Sequence, residues 1–254
     1  MKIVVSPAKT LEYERELPTQ KFTRPAFLKE ARQINKVLKA KTPGELTELM
    51  DISLKLGDLN WQRNQSRTFV SNKIGKMSRQ AMYAFNGDVY IGLDSYTIPL
   101  EKIDLLQDRL RILTGLYGLL KPLDLIQPYR LEMGTTLPVE SAKNLYEFWK
   151  AKLTKALNKE MKKGELLVNL ASNEYFSALD MKTLKSTVIT PEFRDYKDGR
   201  LIMISFFAKQ ARGMMVRYII DTNAETVNDL KCFDYGGYAF DESLSEENRL
   251  VFTR

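Results

Sequence analysis

The chain opens on a short apolar run at residues 2–5 that stops at Ser6-Pro7, which reads as a strand entering a loop that carries Pro7 and Pro18. From residue 24 to about 82 the apolar positions change period. Phe27, Ala31, Ile34, Val37 and Leu38 recur at helical spacing, and so do Leu46, Leu49 and Met50. Thr42-Pro43 marks a helix start, a capping side chain followed by proline in the first turn. Leu56-Gly57-Asp58-Leu59 then reads as a turn that divides residues 42–80 into two helices. Residues 87–91 read as a short strand and residues 100–110 as a helix. Between 115 and 135, glycines and prolines set among Leu, Tyr and Arg predict an ordered, partly buried loop. Residues 144–162 form an amphipathic pattern with Leu145, Phe148, Trp149, Leu153 and Leu157 inward. A buried strand at 166–170 runs into a helix at Ser172. Residues 188–196 and 200–206 flank Lys197-Asp198-Gly199, a hairpin signal. A helix over 208–223 and strands near 238–240 and 250–252 complete the pattern. With no repeat or long linker, this predicts one α+β domain over residues 1–254, a mixed central sheet with surrounding helices. The order of elements is too uneven for a Rossmann or barrel alternation.

Composition narrows the chemistry more than the fold. The chain has 254 residues, no histidine and one cysteine, Cys232. Ser-His-Asp and Cys-His nucleophile systems are therefore excluded, as are zinc sites built on histidine or several thiolates. A carboxylate-held magnesium or calcium ion is the metal chemistry left, and no EF-hand or Walker spacing is present, so neither metal nor cofactor is expected. Cys232 reads as a small buried hydrophobe of a reducing compartment. No apolar run approaches the roughly 18–20 residues of a membrane span, and the first run is shorter than the about 7–15 residues of a signal-peptide core. The expectation is a cytoplasmic protein without a membrane partner.

Charge is unevenly placed. The net charge is +7, and Lys55, Arg63, Arg67, Lys73, Lys76 and Arg79 face a single acid, Asp58, over residues 55–79. Trp61 and Phe69 are interleaved among these cations. A helix, a short glycine turn and a second helix bearing cations resemble the helix-hairpin-helix of sequence-independent DNA binders, in which cations contact the phosphate backbone. A solvated helical face is the plainer reading of the same run.

Four other segments hold polar groups in patterns that suit a ligand. Lys9 lies in Ser6-Pro7-Ala8-Lys9-Thr10, a loop directly after a strand, though without the glycines of a phosphate loop. Asn169 closes the 166–170 strand, Ser172 stands where it can cap the next helix, and Glu174 sits in that helix's first turn. Lys209 and Arg212 share one helix face with Gly213, and a mid-helix glycine costs about 1 kcal/mol against alanine. That cost asks for close approach by a ligand or by another element. Arg130 and Glu132 alternate with Leu131, so in an extended segment both face one way. They form either an internal ion pair or an arginine offered to phosphate with Glu132 behind it.

Together these segments resemble the YaaA family of bacterial peroxide-stress proteins. The likeness is carried by Ile3-Val4-Val5-Ser6-Pro7-Ala8-Lys9-Thr10-Leu11, by Ala84-Phe85-Asn86-Gly87-Asp88-Val89-Tyr90, by residues 110–135, by Leu145-Tyr146-Glu147-Phe148-Trp149, by residues 168–176 and 208–220, and by Leu250-Val251-Phe252-Thr253-Arg254. The resemblance implies a single mixed domain with a basic cleft, a helix-hairpin-helix element within residues 42–80, and duplex DNA binding in defence against peroxide. On that expectation Lys55, Arg63, Arg67, Lys73, Lys76 and Arg79 contact DNA with low sequence specificity, while Lys9, Lys209 and Arg212 line the cleft. The alternative is an enzyme acting on a nucleotide or another phosphorylated small molecule. Its pocket would use Lys9, Arg130, Asn169, Ser172, Lys209 and Arg212 as ligands, with Glu132 or Glu174 as acid or base.

Overall fold

The computed structural model describes residues 1–69 and 73–254. Strand β1 (Lys2–Val5) leads through a long loop to helices α1 (Leu28–Lys39), α2 (Pro43–Met50) and α3 (Leu54–Ser66). Next come β2 (Arg79–Gln80), α4 (Ala81–Ala84), α5 (Asp88–Leu93), α6 (Ile103–Arg109), β3 (Leu110–Thr114), β4 (Gly118–Leu120) and β5 (Leu125–Ile126). The rest of the chain forms α7 (Leu145–Glu160), β6 (Leu167–Leu170), α8 (Asn173–Phe176), β7 (Val188–Lys197), β8 (Arg200–Ile202), α9 (Ser205–Thr222), α10 (Val227–Lys231), β9 (Ala239–Glu246) and β10 (Arg249–Thr253).

The main sheet is mixed, with strand order β4-β3-β1-β6-β7-β10-β9 and β8 paired to β7. Its centre is parallel. β1 lies between β3 and β6, with Ile3 opposite both Leu110 and Val168. The Ile3-Val4-Val5 run is almost wholly buried, as a parallel strand covered on both faces requires. β4, β8 and β9 pair antiparallel. The two-residue strands β2 and β5 form a separate small pair.

The chain leaves β1 to return at β3 on one side, and leaves β6 to return at β7 on the other. Neighbouring parallel strands whose connections part in opposite directions leave a crevice beyond their carboxyl ends, the usual place for a ligand in such sheets. A second gap opens beside it. β6 and β7 pair only at Leu167–Val188 and Val168–Ile189, after which β7 turns its bonding to β10 from Thr190 onward. The Thr190 N–H donates toward β10, to the Asn248 carbonyl at 2.8 Å. Pro191 therefore faces β6, and proline has no N–H to extend that ladder.

Two helices close one side of the crevice by unusually tight contact. A Cβ added at Gly213 of α9 would lie 1.8 Å from the Val89 carbonyl oxygen of α5. One added at Gly92 of α5 would lie 2.0 Å from the Gln210 carbonyl oxygen. The glycine in α9 thus answers to a neighbouring helix, and the close packing fixes the face that carries Lys209 and Arg212.

Several sequence expectations are corrected. Residues 87–91 belong to α5, not to a strand. Val89, Tyr90 and Leu93 form its buried stripe, and the element is only 6 residues long, too short for its period to declare itself. Gly57 lies inside α3 and not in a turn. Its missing Cβ would meet Thr47 Oγ1 at 2.2 Å, so glycine serves the packing of α3 on α2. The turn falls earlier, at Asp51, which adopts left-handed φ of 48°, and Ser53 caps α3 by accepting from the Leu56 N–H at 3.4 Å. The helix-hairpin-helix with a glycine turn at 56–59 is accordingly absent from the described part of 42–80; residues 70–72 of that span lie outside the described residues. Cys232 is exposed rather than buried. No helix among the described residues is long and apolar enough to cross a membrane.

Candidate functional site

A pocket of about 970 Å³ opens at the carboxyl ends of β1 and β6. It is walled by the loop after β1, by the start of α5, by residues 129–132, by the β6–α8 connection, by Thr190–Glu192 and by the first half of α9. Lys9, Arg130, Glu132, Asn169, Ser172, Glu174, Lys209 and Arg212 all line it, although they lie as far as 203 positions apart in the chain.

The two loops that frame the crevice are tied together by serines. The Ser6 hydroxyl accepts from the Ser172 N–H at 2.9 Å, and the two hydroxyl oxygens stand 3.3 Å apart. Ser172 does occupy the position before α8, but its side chain caps nothing and its hydroxyl oxygen lies against that of Ser6 instead. Asn169 is held by a turn: its Oδ1 accepts from the Ala171 N–H at 3.1 Å, which leaves the side-chain amide nitrogen as a donor. The Glu174 carboxylate accepts from the Gly134 N–H at 2.9 Å.

The wall is mixed in charge. Its cations are Lys9, Arg130, Lys209, Arg212 and Arg249, and its carboxylates are Asp88, Glu132, Glu174 and Glu192. Most of the carboxylates are already engaged. Glu132 pairs with Lys9 at 2.8 Å and with Arg130 at 3.2 Å. Glu192 pairs with Arg249 at 2.8 Å and with Arg194 at 3.3 Å. Arg130 keeps one buried Nε–H without a partner. Arg212 differs from the other arginines of the wall. It is half-buried and forms no ion pair among the described residues, and its burial lowers its pKa. Lys209, one turn earlier on the same helix, is exposed at the mouth.

The cations of residues 55–79 do not form one outward face. Lys55, Lys73 and Lys76 are exposed and Arg63 is half-buried, its Nη1 donating to Asn60 Oδ1 at 3.3 Å. Arg67 and Arg79 are buried. Arg67 donates to Asn35 Oδ1, to Asn64 Oδ1 at 2.9 Å and to the Pro128 carbonyl at 2.8 Å. Arg79 donates to the Tyr96 hydroxyl at 2.8 Å and to the Arg15 carbonyl. These two side chains hold the fold together and are not displayed to a partner. Their burial corrects the expectation of a six-residue outward set.

Sequence reading did not single out Arg249 and Glu192, which complete the pocket's far wall, or Ser6 as the tie between the loops. Thr190-Pro191 carried a usable signal, since a proline inside a strand pattern marks the edge of a ladder.

Comparison with known proteins agrees with the pattern of the chain. Residues 1–244 match the family model described as "Peroxide stress protein YaaA". The chain is 68% identical to a UPF0246 protein of Flavobacterium johnsoniae over 254 residues, covering all of both chains. It is 59% identical to a UPF0246 protein of Flavobacterium psychrophilum over 254 residues, again covering all of both. It is 50% identical to one of Saccharophagus degradans over 256 residues, covering 100% of this chain and 99% of the relative. The chain belongs to the peroxide stress protein YaaA family, UPF0246.

Proposed function

We propose that this member of the peroxide stress protein YaaA family binds duplex DNA with low sequence specificity, through cations at the mouth of the pocket and on the exposed part of residues 55–76. The observation that supports this reading best is the state of the accessible cations. Lys209 stands exposed at the pocket mouth, and Lys55 and Lys76 stand exposed on the 55–76 stretch, with no ion pair to a carboxylate among the described residues. Exposed lysines without carboxylate partners suit an extended polyanion, because each phosphate they neutralise releases condensed counterions. The net charge of +7 acts in the same direction. Low specificity follows from the chemistry, since phosphate contacts position a protein on a duplex and base edges specify sequence.

The test is fluorescence anisotropy of a labelled duplex titrated with the purified protein at several salt concentrations. Affinity is expected to fall steeply with salt and to be nearly the same for unrelated sequences. Absence of binding at low salt, or affinity that does not change with salt, would remove DNA binding from the account.

A further inference from the structure

The pocket also contains a feature that an exposed polyanion surface does not require. Arg212 is half-buried on the wall of a cavity of about 970 Å³, and among the described residues it forms no ion pair with a carboxylate. Glu132 and Glu192 are each shared between two other cations, and Glu174 is turned to a backbone amide. A guanidinium on a pocket wall without a carboxylate partner is free to take an anion through two parallel N–H donors. We propose that the pocket binds a phosphomonoester of nucleotide size, with the phosphate seated on Arg212 and the body of the ligand lying between the β1 and β6 loops.

Three independent features fit that ligand class. The pocket sits where the connections from β1 and β6 diverge, the position at which parallel sheets take phosphate-bearing ligands. Its volume falls in the range of small-molecule sites, roughly 300–1,000 Å³. The donors on its wall include the Arg212 fork, the Lys209 ammonium, the Asn169 amide and the orphaned Nε–H of Arg130, with the Asp88 carboxylate on the same wall. Four donor groups of this kind match a dianionic tetrahedral phosphate, with three acceptor oxygens, better than they match a planar carboxylate. The ligand's phosphate can come from a free nucleotide or from a single nucleotide displaced from a DNA strand, and the chemistry at Arg212 is the same for both.

This inference does not rest on duplex binding, and calorimetry without DNA separates the two. Inorganic phosphate and a deoxynucleoside monophosphate are titrated into the wild-type protein, Arg212→Ala, Arg212→Lys and Lys55→Ala. Wild type and Lys55→Ala are expected to bind the monophosphate equally. Arg212→Ala should lose at least ten-fold in affinity, and Arg212→Lys should fall between them because it keeps the charge and loses the fork. A monophosphate that binds without displacing a labelled duplex identifies a free nucleotide as the source. One that displaces it identifies a strand nucleotide. No binding of either probe by wild type at millimolar concentration, or equal binding by Arg212→Ala, overturns the proposal whatever the duplex experiment shows.

Discussion

Replacing Gly213 by alanine separates the two reasons a glycine can stand in the middle of α9. If it served a ligand, alanine would be harmless to the fold and would gain about 1 kcal/mol of helix propensity. The structure gives the opposite expectation. The added Cβ would lie 1.8 Å from Val89 O, 2.6 Å from Leu93 N and 2.8 Å from Val89 C, all backbone atoms of α5. A carbon–oxygen contact needs about 3.3 Å, so the two helices must part by roughly 1.5 Å. Overpacking costs about 1–3 kcal/mol, and the upper end applies because backbone cannot rotate away as a side chain can. Subtracting the propensity gain leaves a net loss of about 2 kcal/mol. For a chain of this length that is a fall of roughly 4–8 °C in Tm. Circular dichroism melts of wild type and Gly213→Ala measure it. Gly44→Ala in α2 serves as the control, because nothing lies within 4 Å of its added Cβ and its Tm should hold or rise. A Gly213→Ala protein that melts at or above wild type would refute the packing argument and return the glycine to a ligand role.

Other expectations follow from the same geometry. Arg67→Ala strips the partners from buried Asn35 and Asn64 and should cost about 3 kcal/mol in chemical unfolding. Lys55→Ala should leave stability unchanged; equal behaviour of the two would contradict the division between buried and displayed cations. Glu45 accepts from the Thr42 N–H at 2.7 Å and from its hydroxyl at 2.9 Å, and these bonds, the backbone one first, hold its carboxyl below the usual 4.5. A depressed carboxyl stabilises the fold above its unfolded pKa and loses that contribution as pH falls through the folded value. Tm measured against pH should therefore decline less below pH 4.5 in Glu45→Gln than in wild type, and identical acid limbs would count against the capping box at α2.

The long elements were legible in the sequence because each repeats its period enough times to be recognised. α7, α9 and the β7–β8 hairpin at Lys197-Asp198-Gly199 fall close to where the pattern placed them. What escaped was local and short. α5 has fewer than two turns, so Val89-Tyr90-Ile91 looks like strand composition until its neighbour is known. Gly57 carries the same letter whether it makes a turn or a close helix contact, and only the position of Thr47 decides between them. The burial of Arg67 could not be read either, since its partners Asn35 and Pro128 lie 32 and 61 residues away and charge counting sees neither. The pocket is the reverse case. Its residues were chosen one motif at a time, and their convergence depends on the strand order that sets β1 beside β6, which no local spacing encodes.

The measurement that bears most directly on the proposed function is the salt dependence of duplex affinity for wild type and for a Lys55→Ala, Lys76→Ala, Lys209→Ala protein. Each phosphate contact removed should lower the log–log slope by roughly 1. The account predicts a steep wild-type slope and a variant slope shallower by about 3, with weaker binding at low salt and an unchanged Tm. Identical slopes in the two proteins, with both folded, would contradict it.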